Sequence, residues 1–425
     1  MSNKSLTDCS INKLFNFFKR IKPATIQDLV QYLPKNILSL TVQNIQYRKL
    51  FRVCRLVKQQ ENIPDTKICE FKDAEEDQNW ISSVSYHPSG EFLAAAKYNV
   101  SCTVYYCNPM NKNNFSKVLF NFTDHDLPLY YATFSTKGNL LGTGGSDGKA
   151  LLYDFDERNT ETYGKKILEL ELVESIRCAS ISPSEKQYAL GMETYEINIY
   201  NVDKLSSEFG KVLYNLKIHT KDITSVCYSQ CERFLISSGY DKFLIINDLN
   251  SPYSKQKGLK NEKISESEDI LSLSVSPTND FIATGSKSGQ ITIYMLYPYN
   301  EGTASIRKAR KYSIELIEEH EELVETNKIS IDRKGFLELM TILKGHTKDV
   351  NSVSFSPSGK YLASASNDKS IIIYDADYKH IGETFGNILT TIKNASWTII
   401  YGICFNLNDE YLASCGYDHA VSIFS

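Results

Sequence analysis

Gly345-His346, Val350-Asn351-Ser352-Val353-Ser354-Phe355-Ser356-Pro357-Ser358-Gly359, Tyr361-Leu362-Ala363-Ser364-Ala365-Ser366-Asn367-Asp368 and Ile371-Ile372-Ile373-Tyr374-Asp375 follow one another in a single stretch of this chain. Apolar residues alternate there with small or polar ones over short runs, and turn residues separate the runs. A period of two is the signature of strands. The stretch predicts a strand over 353–355, a turn at Pro357-Ser358-Gly359, a second strand over 362–364 and a third over 371–374. Three short strands cannot bury both of their faces alone, so a unit of this kind needs neighbours stacked on either side.

The neighbours are in the sequence. Aligned on Phe355, seven copies run from about residue 80 to Ser425, with Tyr86, Phe134, Ile181, Tyr228, Val275 and Phe405 as the equivalents. The Tyr374 column reads Tyr105, Tyr153, Tyr200, Asn247, Tyr294, Tyr374 and Phe424, so it is aromatic in six copies of seven. The Asp368 column reads Asn99, Asp147, Thr194, Asp241, Ser288, Asp368 and Asp418.

This phrase resembles a WD40 repeat, with Tyr374 where the family usually has Trp. The resemblance implies an all-β chain folded as a seven-bladed WD40 β-propeller, whose radial repetition leaves few exposed edges. It also implies a buried chain of hydrogen bonds from a loop His through a strand Ser or Thr and a turn Asp to the third-strand aromatic. His346, Ser364, Asp368 and Tyr374 match those places, as do His125, Thr143, Asp147 and Tyr153. His219, Ser237 and Asp241 match as well, with Asn247 replacing the ring. Blades one, three and five lack the His or the Asp and are expected to rely on apolar packing alone. A His/Ser/Asp set could otherwise be a hydrolase triad, but this trio recurs at one blade position and is expected to be buried there. The glycine-rich run Gly142 to Gly148 falls on a strand and turn of the repeat frame and not on a phosphate-binding loop. The expectation is a non-enzyme with no cofactor and no metal.

Domain organisation follows from the same frame. The chain stops at Ser425, just after the third strand of the seventh copy, so a fourth strand is expected from Thr66-Lys67-Ile68-Cys69-Glu70-Phe71. The propeller is then 66–425, closed by strand 66–71. Between the third strand of blade five and Gly345 lies an insertion over about 297–336, with Arg307, Lys308, Arg310 and Lys311 ahead of a run of glutamates. As a helix its charges oppose the helix dipole, and a loop of this length is mobile or functional. Residues 1–60 form a leader of another kind. Ile11, Leu14, Phe15, Phe17, Phe18 and Ile21 have helical spacing, and Thr25 with Asp28 resembles a capping pair before Leu29, Val30 and Leu33. A short N-terminal helical segment is expected. Pro23, Ile26, Leu29, Val30, Tyr32, Leu33, Leu38, Leu40 and Tyr47 resemble an F-box loosely, though Pro34 interrupts the second helix and the late Trp is absent.

Composition bounds the partners. A net charge of −4 and a pI near 6.1 give no basic field for nucleic acid. None of the ten cysteines stands in a CxxC pair, which argues against zinc and suits a reducing compartment. The start of the chain carries Asp8 and interrupted apolar residues in place of a signal-peptide core. No run is long enough to insert in a membrane. The expected location is cytoplasmic or nuclear.

The family resemblance implies that partners bind the narrow top face, around the channel mouth, where three repeat positions converge. The Asp349 column reads Trp80, Pro128, Ser175, Asp222, Asp269, Asp349 and Ile399. The Asn351 column reads Ser82, Tyr130, Arg177, Thr224, Leu271, Asn351 and Tyr401. The Asn367 column reads Tyr98, Ser146, Glu193, Tyr240, Lys287, Asn367 and Tyr417. Trp80, Tyr98, Tyr130, Tyr240, Tyr401 and Tyr417 are therefore the expected protein-binding residues, with Arg177 and Glu193 setting charge preference. Tyrosine, tryptophan and arginine dominate binding hot spots because they offer rigid area with a polar tip. The expected function is a non-catalytic scaffold that binds peptide segments of other proteins. The alternative is the substrate receptor of a cullin-type ubiquitin ligase, with the leader as adaptor-binding segment.

Overall fold

The computed structural model describes residues 63–72, 80–108, 114–250, 259–296, 337–382 and 384–425. The chain divides into a unit Met1–Ile63 and a unit Pro64–Ser425, and the second holds all the described strands. The expected helical leader over 1–60 and the expected insertion over 297–336 lie outside the described residues.

Seven antiparallel four-stranded sheets make seven blades. Six are consecutive in sequence: 81–122, 129–171, 176–217, 223–265, 270–344 and 350–392. The seventh takes three strands from 400–424 and its outer strand, Lys67–Lys72, from the other end of the propeller. Lys67 sits opposite Phe424 and Phe71 opposite Val421, and Thr66 and Ser425 exchange backbone hydrogen bonds of 3.1 and 2.9 Å. The first strand of each blade touches the first strand of the next, and Ile81–Tyr86 of blade one touches Ile400–Phe405 of blade seven, so the ring is continuous.

The core lies in the seams between blades. Second strands such as Phe92–Lys97, Phe234–Gly239 and Phe281–Ser286 are buried at every residue, since a neighbouring blade covers each face. Outer strands such as Val118–Phe122 and Val212–Lys217 keep exposed positions because only one side of the wedge is covered. One cluster packs Phe92, Phe122, Phe134, Tyr153 and Phe155 between blades one and two. Another packs Phe71, Tyr86, Tyr105, Val421 and Ile423 across the closing seam. Burial of such side chains is worth about 1.5–3 kcal/mol each, which is why the repeat spends its apolar residues on blade faces.

The glycine-rich run finds its reason here. Tyr131 and Tyr188 meet across the seam of blades two and three with their hydroxyls 2.7 Å apart. A Cβ on Gly142 would stand 2.6 Å from the Tyr188 hydroxyl, and one on Gly144 would stand 2.5 Å from the Tyr131 ring. Those glycines make room for two buried tyrosines.

Candidate functional site

The channel mouth is built by a bulge repeated in every blade. Between first and second strands the register slips at 81/83, 129/131, 176/178, 223/225, 270/272, 350/352 and 400/402. The residue skipped each time is Ser82, Tyr130, Arg177, Thr224, Leu271, Asn351 or Tyr401, the whole of one repeat column. A bulge leaves one residue unpaired and re-aims its side chain. All seven line a single mouth of about 390 Å³, together with Trp80, Tyr98, Asp222, Ile223 and Tyr240. The two flanking columns are tied to each other in each blade by one backbone bond: the amide of Tyr98 donates to the carbonyl of Trp80 at 3.0 Å, and so on through Tyr417 to Ile399 at 3.0 Å.

The bulged residues divide by what they touch. Ser82 Oγ donates to the Leu129 carbonyl at 2.9 Å, Thr224 Oγ1 to that of Ile270 at 2.7 Å, and Asn351 Nδ2 to that of Ile400 at 2.8 Å. Each carbonyl belongs to the next blade, so these three polar residues staple seams. Tyr130, Leu271 and Tyr401 make no such bond among the described residues and present their side chains to the mouth.

Among the expected binding residues, Trp80, Tyr98, Tyr401 and Tyr417 come together. The Trp80 ring lies 4.3 Å from Tyr98, 4.9 Å from Tyr417 and 6.3 Å from Tyr401, centroid to centroid. Tyr98 and Tyr417 are exposed. Arg177 stacks over Tyr130 at 4.6 Å and pairs with Glu193 at 2.6 Å, with Asp222 at 3.9 Å. Tyr240 stands on a separate arc under the Lys287 ammonium, at 4.8 Å. Glu193 and Tyr417 flank the mouth without lining the cavity itself. Sequence reasoning did not single out Trp397, which is 62% exposed in the loop entering blade seven. It sits outside the repeat columns, and its being one of only two tryptophans was the available signal.

Within single blades lie the His/Ser/Asp sets. His125 bonds Asp147 at 2.8 Å and Thr143 at 2.9 Å; His219 bonds Asp241 at 3.0 Å and Ser237 at 2.8 Å; His346 bonds Asp368 at 2.9 Å and Ser364 at 2.7 Å. Burial alone would raise these carboxyls, but bonds from the histidines and backbone amides outweigh it and hold Asp147 and Asp241 below the ordinary range. For Asp368 the opposing bonds come first from Ser370 and Thr347, then from His346. All three histidine rings are buried, out of reach of a substrate.

The expected extension to the third-strand ring takes another form. Tyr153 donates to Asp124 at 3.0 Å, because a carboxylate precedes His125 in that loop. At the equivalent place stands Gly345, whose Cβ would be 2.9 Å from the Tyr374 hydroxyl, so that buried hydroxyl lacks the carboxylate that Tyr153 uses. Among the described residues the Asn247 side chain reaches only the Leu235 carbonyl, at 3.4 Å.

Blade five corrects the expectation of apolar packing alone. Glu266 occupies the loop place of the histidine, and its Oε1 accepts from Thr284 Oγ1 at 2.6 Å and from the Tyr294 hydroxyl at 3.0 Å. Burial pushes this carboxyl up to about 7. The expectation failed because the frame looked for His and Asp, while a single protonatable acid can serve both donors. Blade seven carries a shorter version, with Ser396 Oγ donating to Asp418 at 2.6 Å.

The described cysteines are unpaired, and burial raises Cys69 to about 11 and Cys102 to about 12, so these two persist as neutral thiols. Among the described residues no His, Cys, Asp or Glu cluster is arranged to hold a metal, and no helix is long and apolar enough to cross a membrane.

The family model for the WD domain, G-beta repeat, matches residues 210–248, 261–294, 337–375 and 386–425. This chain carries WD40 repeats. Each matched segment begins with the outer strand of one blade and ends with the third strand of the next, so the WD40 sequence unit is offset from the blade by one strand. That offset makes the ring close by exchange of its ends. The chain is also similar to Transducin-like enhancer protein 2 of Mus musculus, 28% identical over 160 residues, which is 38% of this chain and 18% of that protein. It is similar to WD repeat-containing protein SL1-17 of Schistosoma mansoni, 29% identical over 168 residues, 39% of this chain and 54% of that protein. The similarity thus spans about half or less of either relative. WD40 propellers generally bind other proteins.

Proposed function

We propose that this chain is a non-catalytic interaction scaffold that holds peptide segments of partner proteins at its channel mouth. One observation carries the reading. Seven bulges aim one column of side chains into a single cavity, and the members not used to staple blades are Tyr130, Arg177, Leu271 and Tyr401. With Trp80, the two tyrosines and the arginine are the residue types that anchor interfaces. A cavity of about 390 Å³ takes one or two side chains, which suits a peptide better than a folded surface. Unpaired thiols at the described cysteines support a cytoplasmic or nuclear setting.

The test is the triple change Trp80→Ala, Tyr130→Ala and Tyr401→Ala, applied to capture of partners by the full chain. These side chains line the mouth and lie outside the buried core clusters, so the variant should stay folded with at most a modest fall in melting temperature. Affinity for the captured partner should fall roughly tenfold or more, each factor of ten being about 1.4 kcal/mol. Undiminished binding by a folded variant would reject the mouth. Capture of a ubiquitin-ligase adaptor that depends on residues 1–60 would support the substrate-receptor reading instead.

A further inference from the structure

The rim of the mouth is two-sided. No column position of blades seven, one and two is charged, whereas blades three to six carry Arg177, Glu193, Asp222, Asp269, Lys287 and Asp349. In a ring of seven, blades four and five stand across the channel from blade one. The uncharged arc is also the aromatic one, with Trp80 braced by three rings and both tryptophans of the chain on blades seven and one.

The two cations of the charged arc are already neutralised. Arg177 pairs with Glu193 at 2.6 Å, and Lys287 pairs with Asp269 at 2.6 Å. Two carboxylates then remain. Asp222 reaches Arg177 only at 3.9 Å, and the Asp349 carboxylate makes no hydrogen bond or salt bridge within the described residues, though the Lys287 ammonium acts on it through space. Lys221 and Lys348 precede them in sequence, are exposed, and form no ion pair with either. Asp222 lines the cavity directly.

Building on the channel-mouth reading, we infer that the ligand is a basic–apolar peptide segment, with a bulky apolar or aromatic side chain on the Trp80 arc and a lysine or arginine directed at Asp222 and Asp349. The two halves are physically distinct. A shelf of braced rings loses little conformational freedom on binding, so apolar contact there supplies affinity. Half-buried carboxylates at the mouth discriminate by charge, because an acidic segment placed there would meet like charge. An anion could gain from Arg177 only by displacing Glu193.

The test pans a phage library of random dodecapeptides on the full chain, in parallel on Asp222→Asn/Asp349→Asn and on the triple aromatic variant, each checked for a cooperative melting curve. The wild-type chain should enrich sequences with Lys or Arg close to Phe, Trp, Leu or Ile. A synthetic winner should lose about tenfold in affinity on the double Asn variant, equal to about 1.4 kcal/mol, and the same factor when its own cation is replaced by Ser. Enrichment of acidic or uncharged sequences at the mouth, or no enrichment at all, would overturn the basic–apolar assignment. Equal enrichment of the same peptides on the triple aromatic variant would overturn the channel-mouth reading beneath it.

Discussion

The side-chain amide of Asn139 donates to the carboxylate of Glu185 at 2.9 Å, so a turn of blade three holds a turn of blade two. The same carboxylate accepts from Ser135 Oγ at 2.5 Å and from the Asn139 backbone at 3.2 Å. Glu185 has φ of 65°, in the left-handed region. The corresponding residues Glu232, Asn279 and Asp409 have φ of 59°, 61° and 59°, and each reaches back to the preceding blade, at Ser184, Cys231 and Ser358. Blade two has Gly138 at this place, with the His87 ring filling the space that a Cβ would need, 2.3 Å away. Turn residues with strained backbones therefore serve as latches on the face opposite the mouth.

Substitution at Glu185 separates latch from strain. Glu185→Ala loses the charge-assisted bonds and keeps the unfavourable φ, and should cost on the order of 1–3 kcal/mol. Glu185→Gly loses the same bonds but relieves the backbone, recovering about 1 kcal/mol. Chemical denaturation should rank wild type above Gly above Ala. Equal stability of Gly and Ala would show that φ is not strained there.

Asp368→Ala should destabilise more than Thr194→Ala, although both stand in one repeat column. Asp368 accepts from His346, Thr347 and Ser370, and its removal leaves buried donors unmet at a cost on the order of 1–3 kcal/mol. Thr194 makes no side-chain hydrogen bond among the described residues. The folded carboxyl of Asp368 is held below its ordinary value, so its contribution is present above that value and is lost as pH falls through the folded pKa. The gap between the two variants should therefore narrow in acid. Matching melting shifts near neutrality would reject the column assignment.

Much of this was legible because the repeat repeats. Alternation around Phe355 set the strands, and counting copies set seven blades. The mouth columns could be read because the bulge occurs at one position in every copy. What sequence could not supply was partnership across seams. Nothing in Ser82, Thr224 or Asn351 says that they staple a neighbouring carbonyl while Tyr130 does not. Glu266 escaped because its role is defined by Thr284 and Tyr294, which lie 18 and 28 residues away.

Closure by the two ends predicts a local failure mode. Deleting 66–71 would leave Ala420–Phe424 without its outer partner and remove Phe71 from the closing cluster. An unpaired strand edge invites pairing with other chains. The expected outcome is aggregation or loss of a single cooperative transition, with fast amide exchange across 420–424. A deletion mutant that melts like the full chain would contradict the pairing.

The buried acid of blade five predicts the opposite pH dependence from Asp368. Burial raises the folded Glu266 carboxyl from 4.5 to about 7, so the native state binds the extra proton between those values. Stability from this group is fully present below about 4.5 and falls as pH rises towards 7. A shift of that size corresponds to on the order of 3 kcal/mol. Glu266→Gln keeps an oxygen for Thr284 and Tyr294 and cannot ionise. All other titrating groups are common to both proteins, so the difference in unfolding free energy isolates this residue. The Gln variant should gain on wild type by on the order of 2–3 kcal/mol between pH 5 and pH 8. Any cost of fitting the amide would shift both ends equally and leave the slope intact. A difference that stays flat across that range would mean that Glu266 is ionised in the fold and that the blade-five network is held by charge.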